Sequence, residues 1–330
     1  MNPPPPGSTA ATTPADPADT RATGPGGDPT SALPGVPSGD AAGRPQGPGQ
    51  FREIWRRYRR NKLAMLGLVI VAFLAVVAII SPFSTPFDPF EQNLLNTLQP
   101  PSAKHFFGTD VLGRDLYSGV IYGTRLAMLV GLSVVLFSLV LGLTLGSLAG
   151  FKGGWVDGLI ARVIDIFLAF PTLVGAIVIV RATGDGVIPV VVALVALGWM
   201  TTARLMRAQV LALREAEYVE AARSIGAGTG RILRRHILPN AVAPVLVYSL
   251  TNIGVVVVAM ASLSFLGVGV PPDVPEWGRM IASARDYLSV DGVSHLWIFP
   301  SLAIALTTLG FAFVGDGLRD ALDPKLRGGN

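Results

Sequence analysis

LAMLGLVIVAFLAVVAII, Leu63 to Ile80, contains no charged residue. A run of about 18 apolar residues is the least that crosses the hydrocarbon core of a bilayer as a helix. A lone helix is stable there because it satisfies its own backbone N–H and C=O groups where water is absent. The stretch is therefore read as a transmembrane span, and it fixes the class of the whole chain. Immediately before it stand Arg52, Arg56, Arg57, Arg59, Arg60 and Lys62, with Trp55 and Tyr58 among them. Dense positive charge holds that end in the cytoplasm, and the aromatics suit the headgroup layer. The first span thus runs outward.

Composition agrees. Half of the 330 residues are hydrophobic and 15% are charged, with a mean hydropathy of +0.52, which fits an integral membrane protein and not a soluble domain. The net charge of +4 comes from 26 Lys+Arg against 22 Asp+Glu. The arginines sit beside the spans and form no basic face on a soluble surface, so no nucleic-acid partner is expected. Without cysteine there is no disulfide, thiolate metal site or cysteine nucleophile.

Upstream, residues 1–50 are mostly proline, glycine, alanine, serine and threonine. Such a segment buries too little surface to offset its ordering entropy, so a disordered cytoplasmic tail is expected. It holds no charged segment followed by a short apolar core, so it is not a cleavable signal peptide and should stay on the mature protein.

Downstream, Ser81 to Ser118 carries Asp88, Glu91, Asp110 and Asp115 with few bases, which fits an outer loop. Asp110 and Arg114 lie one turn apart and are expected to pair. Leu126 to Phe151 is the next span, with Ser138, Gly142, Gly146 and Gly150 spaced every four residues so that a neighbouring helix can approach closely. Leu159 to Val180 crosses again, with Pro171 bending it mid-span. Its Asp165 is an intramembrane carboxylate and so a candidate functional group. Arg162, three residues away, offers the structural alternative of an ion pair near the headgroups. Val187 to Met200 is a fourth span and Ala241 to Leu266 a fifth. Tyr248, Asn252, Val255, Ala259 and Ser262 share one face of the fifth, a stripe that suits either an aqueous path or helix-to-helix hydrogen bonds. After an acidic outer loop, Gly267 to Leu296, the last span is Leu296 to Val314. Arg319, Lys325 and Arg327 keep the C-terminus in the cytoplasm. About six transmembrane helices result, an all-α fold with both termini inside.

Between the fourth and fifth spans lies the chain's most distinctive segment, Glu220 to Pro239, EAARSIGAGTGRILRRHILP. Good helix formers and a Glu220/Arg223 pair build a first helix, which the glycines from Gly226 onward interrupt at about 1 kcal/mol each. A second helix restarts near Thr229 and is expected to stop before Pro239. On it Arg231, Arg234 and Arg235 share one arc opposite Ile232, Leu233 and Ile237. The basic loop is an ordinary positive-inside feature on charge alone, but its spacing is more specific.

Glu220-Ala221-Ala222, then Gly226, then Leu238-Pro239 resembles the EAA loop of ABC importer permeases, whose short helices dock on a separate ATPase subunit; His236 stands where that family often has an aliphatic residue. FGTDVLGRD from Phe107, LSFLGVGVPPDVPEWGRM from Leu263 and GDGLRDALDPKLR from Gly315 resemble the C-type permease of dipeptide, oligopeptide and nickel importers. The resemblance spans about Phe51 to Arg327. It implies a type I importer permease fold over 51–330 in a bacterial inner membrane, with a coupling loop at 207–239. Glu220, Ala221, Ala222, Ser224, Gly226, Arg231, Arg234, Arg235 and Pro239 would then contact the ATPase, the alanines allowing close docking and Gly226 making the turn. Tyr248, Asn252 and Ser262 are candidates for the translocation path. The implied partners are a B-type permease, two ABC ATPases that bind ATP and Mg, an extracytoplasmic solute-binding protein and the lipid bilayer. Dipeptides or short oligopeptides are the implied cargo, with nickel chelates or haem as alternatives.

Enzyme signatures are sparse. None of Lys62, Lys104, Lys152 and Lys325 follows a glycine, so there is no Walker A loop. No GxSxG elbow appears. His105, His236 and His295 are isolated, without metal-ligand spacing, and are expected in loops or at the surface. No catalytic residue, metal site or cofactor is assigned to the chain. An intramembrane aspartyl protease using Asp165 and Asp316 remains an alternative, although Phe313-Val314-Gly315 departs from the GxGD pattern of those enzymes; a membrane scaffold or receptor is another.

Overall fold

The computed structural model describes residues 48–322. Helix α1 (Pro48–Arg60) leads into α2 (Lys62–Ser84) through Asn61, whose side-chain oxygen accepts from the amides of Leu63 and Ala64 at 3.0 and 3.1 Å. Such an N-cap is worth about 1 kcal/mol. Tyr58 folds back and donates its hydroxyl to the Ala64 carbonyl at 3.0 Å, buried beside Ala321. Pro48 to Gln50 already belong to α1, so the boundary expected at residue 50 moves to 47. Residues 1–47, and with them the expectation of disorder, lie outside the described residues, as do 323–330.

Helix α3 (Leu116–Lys152) is 37 residues long, about 55 Å at 1.5 Å per residue. It begins well before the apolar run because Asp115 caps it, accepting from the amide and hydroxyl of Ser118 at 2.8 and 2.7 Å. Its stripe of small residues packs on α6 (Val187–Arg214). A Cβ on Gly142 would meet Thr202 Cβ at 2.6 Å, and one on Gly150 would meet the Arg207 carbonyl at 2.9 Å. The expected role of the stripe, close helix packing, is what the structure displays.

The third crossing departs from a single bent span. Helices α4 (Gly154–Leu168) and α5 (Thr172–Thr183) meet at 91°. Pro171 lacks an N–H, disfavours a helical conformation in the residue before it and itself sits at ψ 124°, so the ladder breaks where a milder kink was expected. The first half, α4, is tied to α6 by two ion pairs. Arg204 Nη2 donates to Asp165 Oδ1 at 2.6 Å, and Arg207 grips Asp157 with both Nε and Nη2, the latter at 2.7 Å. Asp165 therefore pairs with Arg204 on another helix and not with its neighbour Arg162.

Five helices are long and apolar enough to cross a membrane: α2, α3, α6, the run Thr229–Phe265, and α11 (His295–Leu322). Counting the bent pair as one gives six. The chain is an all-α membrane-spanning bundle, with no β-sheet among the described residues. α11 packs against α2 at Gly67, Gly310 and Gly317, and against the fifth span at Gly254, where a Cβ would lie 2.8 Å from Thr308 Cα. Outward faces are apolar, as on α2, where Val69, Phe73 and Ile79 are exposed.

At one end of the bundle, α10 (Trp277–Ala284) packs against α11 and the fifth span, and against α3 through Trp277 and Met280. Trp277 is fully buried and its Nε1 donates to the Val120 carbonyl at 3.0 Å. Glu276, also buried, caps α10 by accepting from the amides of Gly278 and Arg279 at 3.0 and 2.8 Å. Burial pushes the Glu276 carboxyl above the usual carboxylate range, outweighing those amides. Asp110 and Arg114 do not pair as a helical turn would place them. Asp110 Oδ1 accepts from the backbone amide of Arg114 at 2.8 Å in a tight turn, while the guanidinium points to the carbonyls of Pro272 and Asp273, each at 3.4 Å.

Candidate functional site

Helix α6 continues to Arg214, so Arg207 to Arg214 belong to it and the loop proper opens at Glu215. The loop folds into α7 (Glu217–Ser224), a turn, and α8 (Thr229–Ile232). The turn depends on Gly226 at φ +80°. With it in that left-handed conformation, the Ala227 amide reaches the Ala222 carbonyl at 3.0 Å and the Gly226 amide reaches Arg223 at 2.9 Å. This paired bond pattern closes the C-terminus of α7, and glycine adopts it without the Cβ penalty of other residues.

After α8 the chain does not stop before Pro239. Leu233–Ile237 form one π-helical turn, in which the Leu238 amide bonds to the Leu233 carbonyl, and α9 (Leu238–Phe265) follows without a break. The wider turn accommodates a proline that has no N–H to give and would crowd an α-helical carbonyl four residues back. Pro239 is thereby the second residue of a span and not the end of a loop helix.

What holds the loop is an apolar seam. Val219 and Ala222 of α7, with Ile232 and Ile237, are buried against Met206 and Val210 of α6 and Ala241 and Val245 of α9. Each large side chain there contributes about 1.5–3 kcal/mol. Ala222 thus faces inward, and of the two alanines expected to dock on a partner only Ala221 is exposed. With Ala221 on the surface lie Glu220, Ser224, Gly226, Arg231, Arg234 and Arg235. The arginine arc and its apolar opposite face are placed as their periodicity requires. At the tip, Ile225 is 85% exposed, an apolar side chain that sequence reading passed over. Among the described residues Arg231, Arg234 and Arg235 enter no ion pair, and Glu220 and Arg223 do not form theirs. Ser224 spends its hydroxyl on the Glu220 carbonyl at 3.1 Å. The surface therefore offers a cationic rim, one apolar knob and a rigid base, features suited to docking and not to acid–base chemistry.

The remaining candidates are dispersed. Tyr248, Asn252 and Ser262 are half-buried on α9, and Ser262 donates to Val258 of its own helix at 2.8 Å. Asp165 is held by Arg204, and Asp316 is exposed on α11, which packs chiefly on α2 and α9 while α4 packs on α3 and α6. No hydrogen bond joins the two carboxyls among the described residues, so the proton-sharing pair of a protease is not built. Of the histidines expected in loops or at the surface, His105 lies in a loop but is buried, and His295 is buried at the start of α11. His105 Nδ1 lies 2.8 Å from Asp115 Oδ1, under the ring of Phe87, and His295 Nε2 is 3.4 Å from the Thr109 carbonyl. Their partners come from distant or irregular segments, which periodicity does not reveal.

Comparison with known proteins adds an independent line. Residues 142–328 match the family described as binding-protein-dependent transport system inner membrane component, and residues 49–101 match the N-terminal TM domain of oligopeptide transport permease C. The chain is 42% identical to the dipeptide transport system permease protein DppC of Alkalihalophilus pseudofirmus, over 84% of this chain and 90% of the relative. It is 43% identical to the glutathione transport system permease protein GsiD of Pectobacterium atrosepticum, over 84% and 92%. With the oligopeptide transport system permease protein OppC of Bacillus subtilis the identity is 39%, over 84% and 90%.

Proposed function

The chain belongs to the binding-protein-dependent transport system inner membrane component family, as a C-type permease of the type I ABC importer fold, and from that premise we propose how it works and what it carries. It forms half of a translocation path for dipeptides or short oligopeptides, beside a B-type permease. Two ABC ATPases bind ATP and Mg on the cytoplasmic side, and an extracytoplasmic binding protein delivers cargo. Both termini lie in the cytoplasm of a bacterial inner membrane.

The observation that carries this reading is the surface of α7 and α8. Glu220, Ala221, Ser224, Ile225 and Gly226 are exposed, whereas Val219, Ala222, Ile232 and Ile237 anchor the same segment to two spans. A docking surface rigidly joined to membrane helices is what mechanical coupling needs. Closure of the ATPases moves α7 and α8, α9 moves with them, and rocking of the bundle alternates access to the path. Arg231, Arg234 and Arg235 meet acidic ATPase residues or anionic lipid. Tyr248, Asn252 and Ser262 face the partner permease across the path.

Affinity purification of the tagged chain from gently solubilised membranes tests the proposal. Co-purification of an ATPase and a second multi-span subunit, with hydrolysis stimulated by a binding protein, is the expected result. A chain that purifies alone would remove the coupling role and restore the scaffold alternative.

A further inference from the structure

On the outer side of the bundle, the ends of α3, α9 and α10 enclose a cleft of about 480 Å³, a volume typical of small-molecule sites. Three arginines line it: Arg114 ahead of α3, Arg279 on α10 and Arg285 just beyond. The nearby acids are already engaged. Asp110 Oδ1 accepts from the amides of Leu112 and Arg114, both at 2.8 Å. Asp115 holds His105 and Ser118, and Glu276 holds the two α10 amides. Arg285 touches only its exposed neighbour Asp286, at 3.4 Å. Arg114 Nη1 reaches only two backbone carbonyls at 3.4 Å, and Arg279 has no ion pair among the described residues. The Nε atoms of both Arg114 and Arg279 are shielded from water with no acceptor. Asp110 and Glu276 act on Arg114 and Arg279 through space without forming an ion pair, so the forked donors of both half-buried guanidinium groups stay free to match a carboxylate.

We propose that this cleft receives the carboxylate of a small peptide-like solute on the outer side, with Arg114 and Arg279 as its ligands. The inference rests on the peptide-import reading above and adds a selective step on the permease itself. A cleft of this volume fits a small solute. Phe265, Leu266 and Met280 supply apolar wall for the rest of the solute.

The test uses the complete importer in proteoliposomes, with a dipeptide or its C-terminal amide presented on saturating binding protein loaded with one or the other. The wild type is expected to take up the acid about tenfold faster than the amide, the loss expected for one charge-assisted contact. Arg114→Gln and Arg279→Gln should lower the acid to the rate of the amide, with the half-saturating concentration of loaded binding protein unchanged. Arg279→Lys should keep part of the preference, and basal ATP hydrolysis in each variant reports assembly. Equal wild-type rates, or glutamine variants that keep the preference, would overturn the proposal. So would a raised half-saturating concentration at unchanged maximal rate, which would assign the arginines to docking of the binding protein. Uptake of neither ligand by the wild type would remove the peptide reading and this site with it, whereas the other failures leave that reading standing.

Discussion

Gly146→Ala places a methyl group where α3 and α6 are in backbone contact. The new Cβ would lie 2.8 Å from Met206 Cβ and closer still to the Ala203 carbonyl oxygen, against a normal separation of about 3.5–4.0 Å between carbons. Neither obstacle is the far end of a flexible side chain, so the helices themselves must part by about 1 Å. Overpacking of this kind costs about 1–3 kcal/mol. Gly158→Ala on α4 is the matched control, because a Cβ there meets nothing within 4 Å. It should gain up to about 1 kcal/mol from helix propensity alone. The propensity gain is common to both helix-interior sites, so the two substitutions are expected to differ by the overpacking cost of about 1–3 kcal/mol. Thermal unfolding of both variants in one detergent, followed by tryptophan fluorescence, reads the order directly. If Gly146→Ala melted at or above Gly158→Ala, close packing of α3 on α6 would be refuted.

Gly226→Asp should abolish uptake while leaving membrane insertion and ATP hydrolysis intact, since a Cβ there meets nothing within 4 Å and only the turn at φ +80° is strained; normal uptake by that variant would count heavily against the coupling role. Ala221→Arg should weaken ATPase co-purification at unchanged melting temperature, whereas Ala222→Arg should lower the melting temperature because Ala222 is buried in the apolar seam. Glu276, with its pKa raised by burial, binds its proton more tightly when folded. Stability should therefore fall as pH rises from about 4.5 toward the folded-state value, and Glu276→Gln should flatten that dependence in melting curves recorded across pH. Deleting residues 2–47 should leave uptake unchanged, measured in cells dependent on the transported peptide.

The spans were legible because hydropathy is a property of consecutive residues, and the Gly226 turn and arginine arc because helical period is as well. Three features were not. The fourth apolar run ends at Met200, yet α6 continues to Arg214 because its polar extension is held by Asp157 and Asp165 from α4. Those partners are far off in sequence, so local spacing pointed to Arg162 instead. Which of two adjacent alanines faces inward depends on how α7 sits on α6 and α9, a tertiary matter that the Glu-Ala-Ala triplet leaves open. The rule that helices end before proline failed at Pro239 because a single π-turn absorbed the missing donor.

That π-turn makes Thr229–Phe265 one rod of 37 residues, roughly 55 Å from end to end. One end carries Arg231 and the other forms a wall of the arginine-lined cleft. A tilt of about 10° about the midpoint would swing each end by about 5 Å in opposite directions. The two faces of the membrane are then geared through a single lever. On the proposed coupling, torque applied at the Arg231 end arrives at the other end as a change in the width of the cleft, and the π-turn and Pro244 are the points at which such a helix bends most readily.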